Sequence, residues 1–548
     1  MEPFTGTGGH APGGNALYYC IALAVAALLL SYLQPLFSVP KDGREPPVLS
    51  SSIPIVGHLI QFIRKGSDYL VDLERQYHQS LYVLTVGKGR IYIAASPEWA
   101  QAIHKSYRSL QFNTIVLNAM KNIFLMDEPS MKLIEHNSNG EDGTRNGILL
   151  EMHDMLGSVL APGRHLDDLN HSILNEVLPD VNKLARNGPQ HIQLWWWIRH
   201  HFSIASITAI WGPKNPFMLH SDIEPLFWDF EAAMLPLSMA PLPWLFVRKG
   251  HLARKRIFDA WEEYMQNSGY DEPGVSQLVK NRVALNMEKY GFTKRMHAYG
   301  EVSMVFGAIS NTVPTAFWLI SYIFSDPNIL AEIRQEVDAC ISTPTSGETK
   351  RILNATKLRT SCHLFTSALR ETLRIAGGVN ITRQVSEDVT VTNSAGESYL
   401  LKKDAMVQIA SNVIHQRELW GSDAHEFNAR RFMQNEKQQA DSTSTKIPDP
   451  AAPYRDAQGK VVSAAFRSFG GGNNVCPGRH FAQTEILGLA ALFVAGFEIE
   501  GVRTPGRYQM PPTEALKSSL AVIKPGRDVD VKIRRRAGFE DVEWGFKM

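Results

Sequence analysis

Hydrophobic positions along most of the chain recur with the spacing of amphipathic helices. In residues 331–341, Ile333, Val337 and Ile341 are four positions apart and are separated mainly by polar residues. Residues 361–375 show a similar periodicity. A repeat of three or four residues places an apolar stripe along one side of a helix, so both segments are predicted to be helices that pack on a core.

Short segments carry the signals of β-strands. Residues 84–95 predict a β-hairpin with a Gly-Lys-Gly turn, and residues 384–410 predict short strands around an Asn-Ser-Ala-Gly turn. Strand signals are too few for a sheet that organises the whole chain. The pattern therefore predicts a mainly α fold with a small β part.

An uncharged apolar run of 18 residues occupies positions 16–33 near the N-terminus. Its length is close to the roughly 20 residues that span a bilayer as a helix. Lys41 and Arg44 follow the run and no Lys or Arg precedes it, which predicts a cytoplasmic C-terminal body. A cleaved signal peptide, which fits poorly without a basic n-region, and a buried core helix are the alternatives.

These features divide the chain into four predicted regions. They are an N-terminal tail at residues 1–15, a transmembrane anchor at 16–38, a Pro-rich spacer at 39–57 and one large domain at 58–548. Proline stiffens a chain and resists helix formation, so the spacer is expected to hold the large domain close to the membrane surface.

Two further apolar segments have more than one interpretation. Residues 302–324 are an apolar run interrupted by a small polar cluster and Pro314, which predicts a long helix kinked at the proline. A second membrane span is the alternative. The sequence Trp195-Trp196-Trp197 predicts a helix that faces the core or the membrane, with a ligand-binding aromatic cage as the alternative.

The amino-acid composition argues against several classes of protein. The 548 residues contain 56 Lys+Arg and 55 Asp+Glu, a net charge of +1, which speaks against nucleic acid as a partner. A hydrophobic fraction of 44% and a charged fraction of 20% exclude a disordered chain. Cys20, Cys340, Cys362 and Cys476 are widely spaced, which excludes a disulfide scaffold and disfavours a structural zinc site.

Cys476 stands in the setting with the clearest chemistry. It follows a loop that contains Gly470-Gly471-Gly472, and Pro477 stands where a helix can begin. A helix N-terminus lowers a thiol pKa, and glycines let a flat partner approach the backbone. A thiolate that faces a flat group predicts Cys-ligated haem iron. A structural cysteine and a cysteine nucleophile paired with a histidine are the alternatives.

The segment Phe469-x-x-Gly472-x-x-x-Cys476-x-Gly478 resembles the haem-binding signature of the cytochrome P450 family. The resemblance covers residues 46–530 and is most specific in the C-terminal half. It implies the cytochrome P450 fold, with an N-terminal transmembrane helix and a haem-thiolate catalytic domain at 58–548. It also implies haem b as the cofactor, with Cys476 as its iron ligand, and matches Arg383 to a position that binds a haem propionate.

The family also carries Glu-x-x-Arg on a helix before the cysteine. This chain contains the pattern three times, at Glu348/Arg351, Glu371/Arg374 and Glu500/Arg503. Only Glu371/Arg374 lies in an amphipathic segment, where the i, i+3 spacing places both charges on one face. The resemblance implies that this pair is buried and completed by Arg431 as a structural triad. A solvated ion pair is the alternative.

Residues 302–324 resemble the helix that crosses the oxygen face in this family. Ser310, Asn311 and Thr312 occupy the positions of an acid and two threonines. The resemblance implies that Asn311 or Thr312 hydrogen-bonds the activated oxygen, and that protons arrive through hydroxyl, amide and water. Asn311-x-Pro and Asn474 also resemble the branch that holds the bile-acid sterol hydroxylases and prostacyclin synthase.

The substrate is expected to be lipophilic and rigid, with a terpenoid or steroid-like skeleton. A fatty-acid-like or an aromatic polyketide substrate is the alternative. The predicted pocket residues are Phe306, Gly307, Ala308, Val379 and Ile381. Two basic residues near the haem loop, Arg467 and Arg479, either dock an acidic partner or pair locally.

The resemblance thus implies a membrane-anchored monooxygenase that uses O2 and electrons from NADPH. The chain shows no flavin- or dinucleotide-binding motif, so cytochrome P450 reductase is the expected electron donor, with cytochrome b5 as a second candidate. The expected location is the endoplasmic reticulum membrane, in secondary metabolism such as terpenoid biosynthesis. The alternatives are a haem-thiolate isomerase or dehydratase that acts on a peroxide without O2 or reductase, and a non-catalytic haem sensor.

Overall fold

The computed structural model describes most of the chain, namely residues 42–50, 57–86, 89–342, 349–378, 380–434, 447–456, 458–514 and 521–548. The predicted tail at 1–15, the predicted anchor at 16–38 and two parts of the spacer, 39–41 and 51–56, lie outside the described residues.

The described residues are mainly helical, as the periodicity predicts. The α-helices are α1 Gly57–Lys65, α2 Asp68–Tyr77, α3 Pro97–Lys105, α4 Asn113–Asn122, α5 Glu128–Glu135, α6 Ile148–Val159, α7 Arg164–Lys183, α8 Leu194–Trp211, α9 Pro216–Leu219, α10 Ile223–Met239, α11 Pro243–Phe246, α12 Arg248–Gln266, α13 Gln277–Val283, α14 Lys294–Ile309, α15 Thr312–Ser325, α16 Pro327–Asp338, α17 Ala355–Thr360, α18 His363–Ala376, α19 Ser411–Ile414 and α20 Arg479–Gly496. The helices predicted within 331–341 and 361–375 correspond to α16 and α18.

Short strands form the smaller β part. They are β1 Leu81–Val86, β2 Gly89–Ala94, β3 Leu110–Gln111, β4 Gln190–Gln193, β5 Ile341–Ser342, β6 Lys350–Asn354, β7 Ile381–Val385, β8 Val389–Thr392, β9 Ser398–Leu401, β10 Met406–Ile409, β11 Tyr454–Arg455, β12 Val461–Val462, β13 Phe497–Gly501, β14 Asp530–Arg535 and β15 Glu543–Lys547.

The strands are distributed over several small sheets. The largest has the order β1-β2-β10-β7-β3, and the three-stranded sheets have the orders β13-β14-β4 and β15-β6-β5. β1 and β2 form the predicted hairpin, with Leu81 opposite Ala94. The region predicted to contain short strands provides β7 to β10, of which β8 and β9 pair as a hairpin. None of these sheets is large enough to organise the chain.

The core lies among the long helices. One continuous apolar cluster extends over α7, α8, α12, α14, α15, α18 and α20. Gly488 shows how closely α20 packs on α7, because a Cβ at this position would lie 2.3 Å from Cδ2 of Leu174. The small side chain therefore sets the distance between these two helices.

The long helix predicted at 302–324 is two helices with a break between them. α14 ends at Ile309 and α15 begins at Thr312. Pro314 has no N–H to donate to the Ser310 carbonyl four residues earlier, so the break at 310–311 lies one turn before the proline, where a proline interrupts a helix. The stretch Lys294–Ser325 is long and apolar enough to cross a membrane, but 72% of its most apolar window is buried inside the protein. This burial favours a core helix over a second span.

The three consecutive tryptophans lie in α8. Trp195 packs edge-on against Phe317 at 5.3 Å, and Trp197 packs against Phe493 at 5.3 Å. Trp196 is exposed and stacks on His200. Two of the three rings are therefore packed as the core-facing interpretation predicts.

Candidate active site

The loop that carries Cys476 is tied back on itself. The Cys476 backbone N–H donates a hydrogen bond to the carbonyl of Phe469 at 2.8 Å. α20 begins at Arg479 with Gly478 as its N-cap, so Pro477 precedes the helix. The helix start predicted at Pro477 is wrong by two residues, because Pro477 and Gly478 form a turn instead.

The environment of the Cys476 thiol differs from the prediction. Cys476 is exposed, and it lines the cavity described below. Although the Cys476 side chain is open to this cavity, the protein atoms packed around it desolvate the thiolate and raise the pKa of the thiol, while the Gly478 N–H and the Arg479 charge oppose this shift. The predicted lowering of the pKa is therefore wrong, because desolvation of the thiolate outweighs both favourable interactions. A coordinated metal ion deprotonates a thiol outright, so iron ligation does not require a lowered pKa.

Two glycines shape the loop before the cysteine. Gly470 and Gly472 have φ angles of +80° and +63°, which L side chains rarely adopt. A Cβ at Gly470 would lie 2.8 Å from the Asn474 carbonyl oxygen, and a Cβ at Gly472 would lie 2.3 Å from Nδ1 of His104. Gly472 therefore packs the loop against His104 and does not line the cavity.

A cavity of ≈ 300 Å³ brings most of the predicted site residues together. Those that line it are Gly307, Ala308, Asn311, Thr312, Ile381, Arg383, Phe469, Cys476 and Gly478. Apolar side chains contribute much of the remaining wall, namely Phe112, Leu160, Leu169, Ile210, Leu278, Met304, Leu373, Phe481, Ala482, Ile486 and Val522. A thiol, a polar helix break and an arginine thus share one mainly apolar cavity.

Two predicted residues of the helix lie away from the cavity. Gly307 and Ala308 line it, whereas Phe306 and Ser310 do not. Phe306 packs against the core, and Ser310 is completely buried. The helical period places residues 306 and 310 on a face turned away from 307 and 308. The prediction that Phe306 lines the pocket is corrected, and Val379 lies outside the described residues.

Side chains close the break between α14 and α15. The Thr312 hydroxyl donates a hydrogen bond to the Ala308 carbonyl at 2.7 Å, and the Thr315 hydroxyl donates to the Asn311 carbonyl at 2.7 Å. The Val522 backbone N–H donates to Oδ1 of Asn311 at 3.0 Å. Asn311 therefore holds the C-terminal segment at Val522 against the cavity, a contact that the sequence does not reveal.

Glu485 also lines the cavity and was not among the predicted site residues. It is completely buried on α20, and the Ser206 hydroxyl donates to its Oε2 at 3.3 Å. The Thr312 hydroxyl also contacts this carboxyl. Burial raises the pKa of Glu485 well above its usual value. The sequence signal that could have indicated Glu485 is that it is the single acidic residue of α20.

Two buried arginines form the polar corner of the cavity. Arg383 donates from Nη1 to Oδ1 of Asn474 at 3.1 Å, and Arg467 contacts Nε2 of His104 through Nη2. Burial lowers the pKa of Arg383 to about 10, and burial together with the Arg383 charge lowers that of Arg467 to about 9. Within the described part of the chain, no carboxylate pairs with either guanidinium, and both Nε atoms and Nδ1 of His104 lack a partner. This corner therefore favours an anionic group.

The structure distinguishes the two interpretations of Arg467 and Arg479, namely docking of an acidic partner and local pairing. Arg467 is buried in the cavity wall and is not available to a docking partner. Arg479 is bound to Asp449, at 2.8 Å from Nε to Oδ1, which agrees with local pairing.

Glu371, Arg374 and Arg431 form a buried ionic network. The distances to Oε1 of Glu371 are 2.7 Å from Nη2 of Arg374 and 2.9 Å from Nε of Arg431. Arg374 also donates to the backbone carbonyls of His415 and Ala424. The Glu371 and Arg374 side chains are fully buried, so a solvated ion pair is excluded.

Comparisons with known proteins agree with this geometry. A family model described as "Cytochrome P450" matches residues 246–526. A cytochrome P450 monooxygenase of Gibberella zeae is 28% identical over 96% of each chain. Cytochrome P450 monooxygenase nodJ of Hypoxylon pulicicidum is 28% identical over 92% of this chain and 93% of its own length. Cytochrome P450 7B1 of Mus musculus is 24% identical over 91% of this chain and 93% of its own length.

Proposed function

This chain belongs to the cytochrome P450 family and is a monooxygenase, and we propose that it oxidises a terpenoid or steroid-like substrate at a membrane. The observation that carries the proposal is a mainly apolar cavity that is lined both by Cys476 and by the break between α14 and α15. The resemblance to the branch that holds the bile-acid sterol hydroxylases, together with the similarity to cytochrome P450 7B1, supports this substrate class.

The residues that line the cavity fit haem b. Cys476 supplies a thiol ligand for iron, and Gly470 lets the backbone approach a flat group. Arg383 and Arg467, with His104 behind them, supply the positive charge that two propionates need. When bound, haem supplies the activation of O2 for insertion of one oxygen atom into a C–H bond.

Removing Arg467 tests the role of the arginine corner. The Arg467→Met variant is expected to lose haem to an excess of a haem-scavenging protein at least about tenfold faster, because a buried charge partner of the propionate is gone. The rate is followed by the Soret absorbance of the holoprotein. Arg64→Met removes an exposed arginine and is expected to leave this rate unchanged. Equal rates for Arg467→Met and the wild type would contradict the assignment.

Glu485 gives the cavity a buried carboxyl group whose raised pKa favours the protonated form. The carboxyl lies beside the Thr312 hydroxyl, so its proton can pass through Thr312 when that hydroxyl turns from the Ala308 carbonyl towards the cavity. This arrangement provides an acid even though position 310 is a serine. We propose that Glu485 and Thr312 support proton delivery, while Asn311 holds the segment at Val522.

The Glu485→Gln variant tests this proton. The pKa of Glu485 is higher in the folded protein than in the unfolded chain, so between these two values the folded protein keeps a proton that the unfolded chain releases. In this range the unfolding free energy of the wild type falls by up to about 1.4 kcal/mol for each pH unit. The variant lacks this loss, so its unfolding free energy relative to the wild type is expected to increase with pH. Product formed per NADPH consumed is expected to fall. Glu540→Gln, at an exposed position, is the control, and identical pH slopes would contradict a buried proton.

An exposed apolar surface supports membrane association of the large domain. Trp244, Leu245 and Phe246 in α11 each expose more than half of their surface, and Arg248 and Lys249 follow directly. Aromatic and basic side chains together suit a membrane interface with anionic lipids. The anchor predicted at residues 16–38 would supply the permanent attachment.

Vesicle binding by the chain without residues 1–41 tests this surface. The truncated protein is expected to bind anionic vesicles in a sedimentation assay. The double variant Trp244→Ser/Phe246→Ser is expected to bind at least about tenfold more weakly, because two large apolar side chains no longer enter the bilayer. Val502→Ser, at another exposed apolar position, serves as the control. Unchanged binding by the double variant would contradict the assignment.

The proposed activity is tested with the full-length protein in vesicles that contain cytochrome P450 reductase, with cytochrome b5 as an optional addition. Terpenoid and steroid substrates are incubated with NADPH under O2 and under argon, and products are identified by mass spectrometry. Products that carry one added oxygen atom from labelled O2 support the proposal. Turnover of an organic peroxide without O2 or NADPH would instead indicate an isomerase or dehydratase.

A further inference from the structure

Two cysteines that do not line the cavity lie against each other at the junction of α16 and α18. The Sγ atoms of Cys340 and Cys362 are 3.4 Å apart, and both cysteines are buried with free thiols. Cys340 lies two residues after the end of α16, and Cys362 is the N-cap of α18. Each Sγ lies 3.5 Å from the Glu336 carbonyl oxygen.

The backbone around the two thiols is held independently of them. The Glu336 carboxylate accepts hydrogen bonds from the N–H groups of Leu364 at 2.9 Å and Phe365 at 3.0 Å, which joins α16 to the first turn of α18. The Asn354 N–H donates to the Cys340 carbonyl at 3.1 Å. A disulfide is about 2.0 Å long, so the sulfur atoms have to approach by about 1.4 Å. The surrounding contacts keep them at this short separation.

We propose that Cys340 and Cys362 form a redox-sensitive site that hydrogen peroxide converts into an intramolecular disulfide. The Cys340 sulfur attacks one peroxide oxygen, the O–O bond breaks, and a sulfenic acid and one water form. The Cys362 sulfur then attacks the Cys340 sulfur and displaces hydroxide, which leaves as a second water with the remaining thiol proton. Two thiols lose two electrons in total, and one peroxide gains them.

The surroundings favour Cys340 as the attacking residue. Cys340 is 4% exposed and Cys362 is 1% exposed, so the peroxide reaches Cys340 more easily. The contact with the Cys362 thiol and the charge of Lys357 lower the pKa of Cys340, while the contact with the Cys340 thiol and burial raise the pKa of Cys362. A thiolate is the nucleophile in such reactions, so Cys362 acts second.

The disulfide would tie the end of α16 to the start of α18, the helix that carries Glu371 and Arg374. The two cysteines are 22 residues apart, and closing this loop restricts the unfolded chain. The oxidised protein is therefore expected to unfold at a higher temperature than the reduced protein.

The test treats the haem-loaded full-length protein with increasing hydrogen peroxide, then blocks free thiols in denaturant and maps the peptides by mass spectrometry. A Cys340–Cys362 disulfide that dithiothreitol reverses supports the proposal. Cys20→Ser is the control and is expected to form the same disulfide. Complete alkylation of both residues after peroxide treatment, sulfinic acid without a disulfide, or linkage to Cys20 or Cys476 would overturn it.

Two single variants separate the steps. In Cys362→Ser, dimedone is expected to trap a sulfenic acid at Cys340, and peroxide is expected to leave the unfolding temperature unchanged. In the wild type, peroxide is expected to raise the unfolding temperature. Trapping at Cys362 in Cys340→Ser, with no trapping at Cys340 in Cys362→Ser, would overturn the order of attack.

Discussion

Replacing Cys476 by serine is expected to abolish the red-shifted Soret band that reduced, thiolate-ligated haem gives with carbon monoxide. Serine is nearly isosteric with cysteine, and the Cys476 N–H bond to Phe469 involves only the backbone, so the loop is expected to keep its shape. The hydroxyl cannot replace the electron donation of a thiolate. Monooxygenase turnover is expected to fall to background, and difference spectroscopy with carbon monoxide measures the effect.

Two other cysteine variants control for nonspecific damage. Cys20→Ser and Cys340→Ser are expected to keep the thiolate band, since Cys20 lies in the predicted anchor and Cys340 does not line the cavity. Retention of the band in Cys476→Ser would contradict the assignment of Cys476 as the iron ligand.

The second large effect is expected from Glu371→Ala. Glu371 accepts hydrogen bonds from Arg374, Arg431 and the Asn428 backbone N–H. Its removal leaves the buried Arg374 guanidinium without its carboxylate and leaves Arg431 paired with Asp423 alone. Breaking a buried ion pair in this way costs about 3–5 kcal/mol. We expect a lower unfolding midpoint in urea and little haem-loaded protein, measured as haem absorbance per protein.

Glu500→Ala provides a control with the same local sequence pattern. Glu500 lies at the surface, where it accepts a hydrogen bond from the Gly506 N–H and lies 3.6 Å from Lys532. Because a surface ion pair contributes at most about 1 kcal/mol, this variant is expected to load haem normally. Normal haem loading and an unchanged urea midpoint in Glu371→Ala would show that the buried triad does not support the haem-side core.

Local patterns predicted the helical character of the chain because they depend on residues three or four positions apart. The periodicity of residues 331–341 and 361–375 corresponds to α16 and α18, and β1 and β2 pair as the predicted hairpin. The motif around Cys476 and the resemblance it carries indicated a cavity with Asn311, Thr312 and Arg383, and the structure brings these residues together. Their chemical roles stay predictions.

The predictions that fail are those that depend on which atoms surround a residue in the folded protein. The sign of the Cys476 pKa shift depends on how many protein atoms enclose the thiol, which a helix N-terminus alone does not indicate. The place of Phe306 in an apolar run predicts a pocket residue. Its true position depends on which face α14 turns to the cavity.

By itself, the sequence determined the mainly α class, the thiol that can bind iron and the Glu371/Arg374 pair, because each is encoded in a short segment. Only the tertiary structure decided that Arg467 joins Arg383 in an uncompensated positive corner, and that Glu485 contacts Thr312. These pairs come from segments more than 80 residues apart in the sequence. Burial and charge neutralisation depend on neighbours from remote segments, so no local pattern contains them.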